Sequence, residues 1–179
     1  MKRRFTVLAL IVAIGTGLLA RAAEEGAAPS APAEPSAAAL ERTRKSVRML
    51  DDVYKSVIVL ITDKYVHDED DFPAGSAAVH LFGEITKKGW HEVRLIDSTG
   101  EPYEPANVAR DDFEKRAIEE LKSGKDYVEK IVSSGGKPYL RAVTPVPVVM
   151  QKCIMCHAHY ADVEKGKPIG AISYKLLID

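Results

Sequence analysis

Cysteine is scarce in this chain of 179 residues: there are two, Cys153 and Cys156. So few exclude a framework of disulfides stapling distant segments together. A basic excess is missing too, with 25 Lys and Arg against 26 Asp and Glu. Phosphate backbones are held by a basic face, so the balance excludes nucleic acid as a partner. The one long apolar run, Phe5 to Ala20, falls short of the ~20 residues of a spanning helix. Beyond His159 the chain has no His, Cys or Met at all.

What stands at the start reads as an export signal. Lys2, Arg3 and Arg4 precede the apolar run, and Ala20-Arg21-Ala22 supplies a small-x-small cleavage site. Residues 1–22 are therefore expected to be removed, leaving a periplasmic or otherwise exported protein with no membrane segment; an uncleaved membrane anchor is the alternative. Without Lys2, Arg3, Arg4 and Arg21, 21 basic residues face 26 acidic ones, a balance of −5. That charge suits basic or neutral partners. Residues 23–39 are Ala, Pro, Glu, Gly and Ser, with too little apolar surface to offset the entropy of ordering, so they read as a disordered linker. Residues 40–179 are the right size for one domain.

Within that domain the periodicity predicts a long helix over 40–66, with Val47, Leu50, Tyr54, Val57, Ile58, Ile61 and Tyr65 on one stripe. A second helix is expected over 76–88, facing inward through Ala78, Leu81, Phe82 and Ile85 and ended by Gly89. Trp90 to Asp97 alternates as a strand, with His91, Val93 and Leu95 on one face. Asn107 is a candidate N-cap for a third helix running to Lys122. Residues 127–132 and 138–146 flank Ser134-Gly135-Gly136-Lys137 as a hairpin, and 169–178 read as a last strand. The sum is an α+β domain with a small antiparallel sheet. The stripe of the first helix could also form a seam with a second copy, making a homodimer.

Both cysteines lie in Cys153-Ile154-Met155-Cys156-His157, the pattern of covalent c-type haem attachment. Two thiols at this spacing reach the two vinyl groups of one porphyrin, and the following imidazole becomes the proximal iron ligand. Cys153 and Cys156 are thus the candidate thioether residues, His157 the candidate axial ligand, and one haem c the expected cofactor. Three other uses of the segment compete with this reading. A thioredoxin-like pair needs a strand-to-helix setting in a βαβ unit. A zinc site would take Cys153, Cys156, His157 and His159, whose adjacent imidazoles strain a tetrahedron. A plain disulfide leaves His157 without a role.

The sixth iron position decides how such a haem behaves. His91 is the first candidate, since it shares a strand face with Val93 and Leu95; the competing assignment is a core histidine bonded to its neighbours. His80 lies opposite the apolar stripe of its helix and is expected in solvent, as is His67 in its acidic loop. Met150, Met155 and an open site are the remaining options. Arg141, on the strand that leads into the haem segment, is a candidate partner for a haem propionate, against the alternative of an ordinary exposed strand arginine.

The run Gly89-Trp90-His91-Glu92-Val93-Arg94-Leu95, then Pro105-Ala106-Asn107 and Phe113-Glu114, then Leu140-Arg141-Ala142-Val143-Thr144-Pro145 ahead of the haem segment resembles a family of periplasmic single-haem cytochromes. That family, once known only as a domain of unknown function, has a cyanobacterial haem protein as its structural type. The resemblance covers roughly residues 40–179. It implies a PAS-like antiparallel sheet of about five strands with the haem in or beside its pocket. Some members take a cysteine from the N-terminal half as sixth ligand; here no third cysteine exists.

The expected function is electron transfer or redox signalling by a non-enzymatic monohaem cytochrome, through a redox or signalling partner that the sequence does not identify. A haem-based sensor of CO, NO or O2 acting through a separate partner is the alternative. A peroxidase-like enzyme ranks below both, because no acid–base pair or nucleophile cluster stands out.

Overall fold

The computed structural model describes residues 34–68, 70–155 and 158–179. The expected signal segment and most of the linker lie outside them, as do Cys156 and His157.

The first helix, α1 (Ala37–Tyr65), begins inside the stretch expected to be linker. Ser36 explains the start: its hydroxyl accepts from the Ala39 amide at 3.1 Å, and three alanines follow it with the highest of helix propensities. At 29 residues the helix is about 43 Å long. Val47 and Tyr54 are buried in the core, with Leu50 and Ile58 packed against it, so much of the stripe is used on the chain's own sheet. Tyr65 turns outward at the helix end.

The second helix, α2 (Ala74–Lys87), presents the expected face: Ala78 and Phe82 are buried, and Leu81 and Ile85 pack beside them. Gly89 follows with φ 77°, and its amide donates to the Thr86 carbonyl, a left-handed stop that a β-carbon would disfavour. The chain then enters β1 (Glu92–Asp97).

The third helix, α3 (Asp112–Lys122), starts later than Asn107. Asp111 is the cap, its Oδ1 accepting from the Glu114 amide at 3.0 Å. Asn107 instead stays in the loop, donating to the Glu104 carbonyl and accepting from the Asp97 amide. An acidic cap followed by Asp112 and Glu114 suits the positive end of a helix better than Asn107 four residues upstream.

β2 (Val128–Ser134) and β3 (Lys137–Pro147) form the expected hairpin. Ser134 pairs with Lys137, which leaves a two-residue turn of Gly135 and Gly136 at φ 57° and 75°. Positive φ at both positions is what a turn matching the strand twist demands. β4 (Pro168–Leu177) closes the sheet.

Strand order is β1-β4-β3-β2 and every pair is antiparallel. Four strands occur among the described residues, the four that the alternating patterns mark, against about five implied by the resemblance. The arrangement is α+β and compatible with a PAS-like fold.

The sheet is covered on both faces, as its residue alternation requires. One face carries Val93, Leu140, Ala142, Ile172, Tyr174 and Leu176 under α1 and α2. The other carries Ile96, Val143 and Ala171 under Phe113, Ala117, Ile118 and Leu121 of α3. β4 is central and buried along nearly its whole length. No helix among the described residues is long and apolar enough to cross a membrane.

Candidate functional site

One end of the sheet is left open by the helices. There the C-terminal half of α1, the start of α2, the end of β1, the loop after it, the end of β3 and the start of β4 enclose a cavity of about 600 Å³. Its size is that of a cofactor or ligand site. The walls are largely apolar, with Ile58, Val59 and Val66 from α1 and the turn after it, Val79 from α2, and Leu95, Val146 and Ile169 from the sheet. Gly170 lies on the wall where β1 approaches closely; a β-carbon there would meet the Ile96 carbonyl at 3.0 Å.

Cys153 is on this wall, half-buried, in a short 3-10 turn over Gln151–Ile154. The turn is set by the Cys153 amide donating to the Met150 carbonyl at 3.1 Å. Its neighbour Lys152 donates to the Asp63 carbonyl near the end of α1, which ties this turn to the long helix. A second 3-10 turn, Ala158–Asp162, follows the segment. Its Tyr160 also lines the cavity, and burial, then the nearby Asp97 carboxylate, push its phenol up to about 12. His159 approaches Thr99, with Nε2 3.4 Å from the hydroxyl, and Thr99 donates to Asp97 at 2.8 Å. Lys152 and His159 thus tie the two described turns to the end of α1 and to the loop after β1 respectively.

His91 is placed elsewhere. It sits ahead of β1 with Nε2 2.9 Å from the Tyr54 hydroxyl, and it is absent from the cavity wall. The nearest cavity-wall residue on the strand that follows is Leu95, four residues along and about 13 Å away at strand spacing. Burial lowers the His91 pKa, which favours the neutral ring. The expectation that His91 turns to the helix-covered face holds; it meets Tyr54 there.

Arg141 also faces away, on the α3 side. Its guanidinium lies 4.5 Å from the centre of the Phe113 ring and pairs with Asp111 at 2.6 Å. The cations on the cavity wall are Lys55 and Lys152. His80, expected in solvent, is exposed and lines the cavity as well. Ser76, Val79 and His80 are spaced i, i+3, i+4, so they share the helix face that turns from the core.

The sequence reading missed two buried polar clusters that frame the sheet. Asp51 of α1 accepts from Thr144 at 2.6 Å and from Tyr174 at 2.9 Å, and Lys55 pairs with its other oxygen at 2.7 Å. Burial and the Asp51 charge raise the Tyr174 pKa far above the usual phenol value, so the hydroxyl remains a donor. On the opposite face Glu114 accepts from Arg94 at 2.6 Å, from the Arg110 amide at 2.8 Å and from Ser173 at 2.9 Å. A threonine and a tyrosine on the inward face of apolar strands were the available signal for the first cluster. Among the described residues no three His, Cys, Asp or Glu side chains gather as a metal cage.

A second hollow of about 460 Å³ lies at the other end of the sheet, bounded by Arg42, Ser46, Trp90 and Leu177 among others. It holds neither cysteine nor histidine.

The match that decides the relationship spans residues 32–175, where the chain fits the Tll0287-like family model. The chain belongs to the Tll0287-like family. The family is haem-related, which agrees with the attachment pattern at residues 153–157. No curated protein matches the chain. For a Tll0287-like protein the described site is economical: one cysteine of the Cys-x-x-Cys-His pattern stands on the wall of an apolar cavity built by α1, α2 and three strands.

Proposed function

We propose that this protein is an exported monohaem c-type cytochrome acting in electron transfer or redox signalling, without catalysis of its own. The observation that carries the reading is Cys153 on the wall of an apolar cavity of about 600 Å³, within a Cys-x-x-Cys-His pattern. Bound there, haem iron would supply one-electron chemistry.

The chain's own residues have these roles. Cys153 and Cys156 would hold the haem through thioethers, each thiol adding across one vinyl C=C with sulfur on one carbon and the proton on the other, so that neither oxidant nor leaving group would be needed. His157 would supply a nitrogen ligand to the iron. The apolar wall of Ile58, Val59, Val66, Val79 and Leu95 would exclude water from the macrocycle. Lys55 and Lys152 are cations on the wall, the first paired with Asp51 and the second bonded to the Asp63 carbonyl; Arg141 is held by Asp111 on the α3 side. Export rests on the N-terminal basic-apolar-small pattern, and the acidic balance of the mature chain favours a basic or neutral redox partner.

The test is production with a periplasmic haem-maturation system, followed by haem staining after denaturing electrophoresis. Haem that stays with the chain is the expected result. A chain that leaves the periplasm colourless under conditions that mature a control cytochrome would overturn the proposal.

A further inference from the structure

We infer that His80 is the sixth ligand of the haem iron, an inference that rests on the haem reading just given. A sixth ligand must reach the cavity on which Cys153 stands, and the wall offers few side chains with a suitable donor. His80 is the one imidazole among the wall residues described. His91 is bonded to Tyr54 at the other end of β1, and His67 is not on the wall.

The other donors on the wall are less suited. Lys55 is held by Asp51 at 2.7 Å, and Lys152 is occupied by the Asp63 carbonyl at 2.7 Å. Tyrosine ligates iron as phenolate, and burial together with Asp97 pushes the Tyr160 phenol up to about 12, which keeps it protonated. Tyr103 lies at the exposed rim.

The position of His80 also suits a ligand mechanically. It is the seventh residue of α2, a helix anchored to the sheet through Ala78 and Phe82 on its other face. Its ring lies 6.0 Å from that of Phe72. An imidazole presented by a fixed helix loses little freedom on binding iron.

Both axial positions then carry imidazole, from His157 and His80. Such an iron is low-spin, and small ligands reach it only by displacing a histidine. The test uses the full matured protein, first assayed for covalent haem as the pyridine haemochrome. Electron paramagnetic resonance and near-infrared magnetic circular dichroism of the ferric wild type should give a bis-imidazole signature. His80→Ala should lose it for a high-spin spectrum, and free imidazole should restore it. His80→Met should convert the signature to imidazole-thioether, and His91→Ala should leave it unchanged. A wild type lacking the bis-imidazole signature, or His80→Ala retaining it, overturns this inference while leaving covalent haem intact. Absence of covalent haem overturns the haem reading and this inference with it.

Discussion

Tyr54 and His91 meet between α1 and the start of β1, the phenol oxygen 2.9 Å from the imidazole Nε2. The pair holds one end of the long helix to the sheet, and Tyr54 stacks on Tyr174 of the central strand at 6.3 Å between ring centres. Burial lowers the His91 pKa below the ordinary imidazole value, so the unfolded chain takes up a proton before the folded one. The stability this neutral ring contributes is complete above about pH 6.5, the unfolded value. It is lost as pH falls through the folded value. Urea unfolding of wild type and His91→Gln at pH 7.5 and 5.0 measures the effect. The gap in stability between the two proteins should narrow at pH 5.0; an unchanged gap would mean that His91 does not titrate against folding.

Glu114 should be the most costly carboxylate to remove. It is 2% exposed and receives Arg94, the Arg110 amide and Ser173. Glu114→Ala leaves the Arg94 guanidinium half-desolvated without its counter-charge, and a loss of about 3 kcal/mol is expected. Ser173→Ala removes one hydroxyl donor to that charge and should cost about 1.5 kcal/mol. Denaturant midpoints at constant slope give both values. A Glu114→Ala loss below that of Ser173→Ala would contradict the arrangement.

The hairpin turn is a test of backbone conformation alone. A β-carbon on Gly136 would meet nothing within 4 Å, yet the residue stands at φ 75°. Gly136→Ala should therefore destabilise by about 1–2 kcal/mol, and Gly136→Asn by less, since asparagine tolerates the left-handed region. Equal stability of glycine and alanine variants would show that the turn takes another form.

Cys153→Ala bears on the attachment chemistry. One thioether would remain through Cys156, and one vinyl group would stay conjugated with the ring. The pyridine haemochrome α-band should move to longer wavelength, with haem still bound covalently. A band at the wild-type position would mean that Cys153 forms no thioether.

Much of this was legible in the sequence because burial imposes a period. The alternation of Val93 and Leu95 and of Leu140 and Ala142 marks one sheet face, and the Ala78, Leu81, Phe82, Ile85 spacing marks the core side of α2. The Gly135-Gly136 pair fixes its turn because few other residues accept positive φ twice in succession. What escaped depends on long-range placement. Asn107 and Asp111 are both acceptable caps locally, and the loop's bond from Asp97 to Asn107 decides between them. His80 lies on the polar side of its helix, which is the same in sequence whether that side meets bulk water or a cavity wall. Arg141 is drawn to Asp111 and Phe113, thirty residues or so upstream, a pairing no local pattern reveals. Asp51 meets Thr144 and Tyr174 across about a hundred residues, and only the packed sheet brings them together.

The most direct measurement is the intact mass of the purified, matured chain, taken with its pyridine haemochrome spectrum. A mass equal to the signal-cleaved polypeptide plus one haem, with the α-band of a porphyrin that has lost both vinyls, is expected. A mass equal to the bare polypeptide from cells that mature a control cytochrome would contradict the haem assignment and the roles given to Cys153, Cys156 and His157.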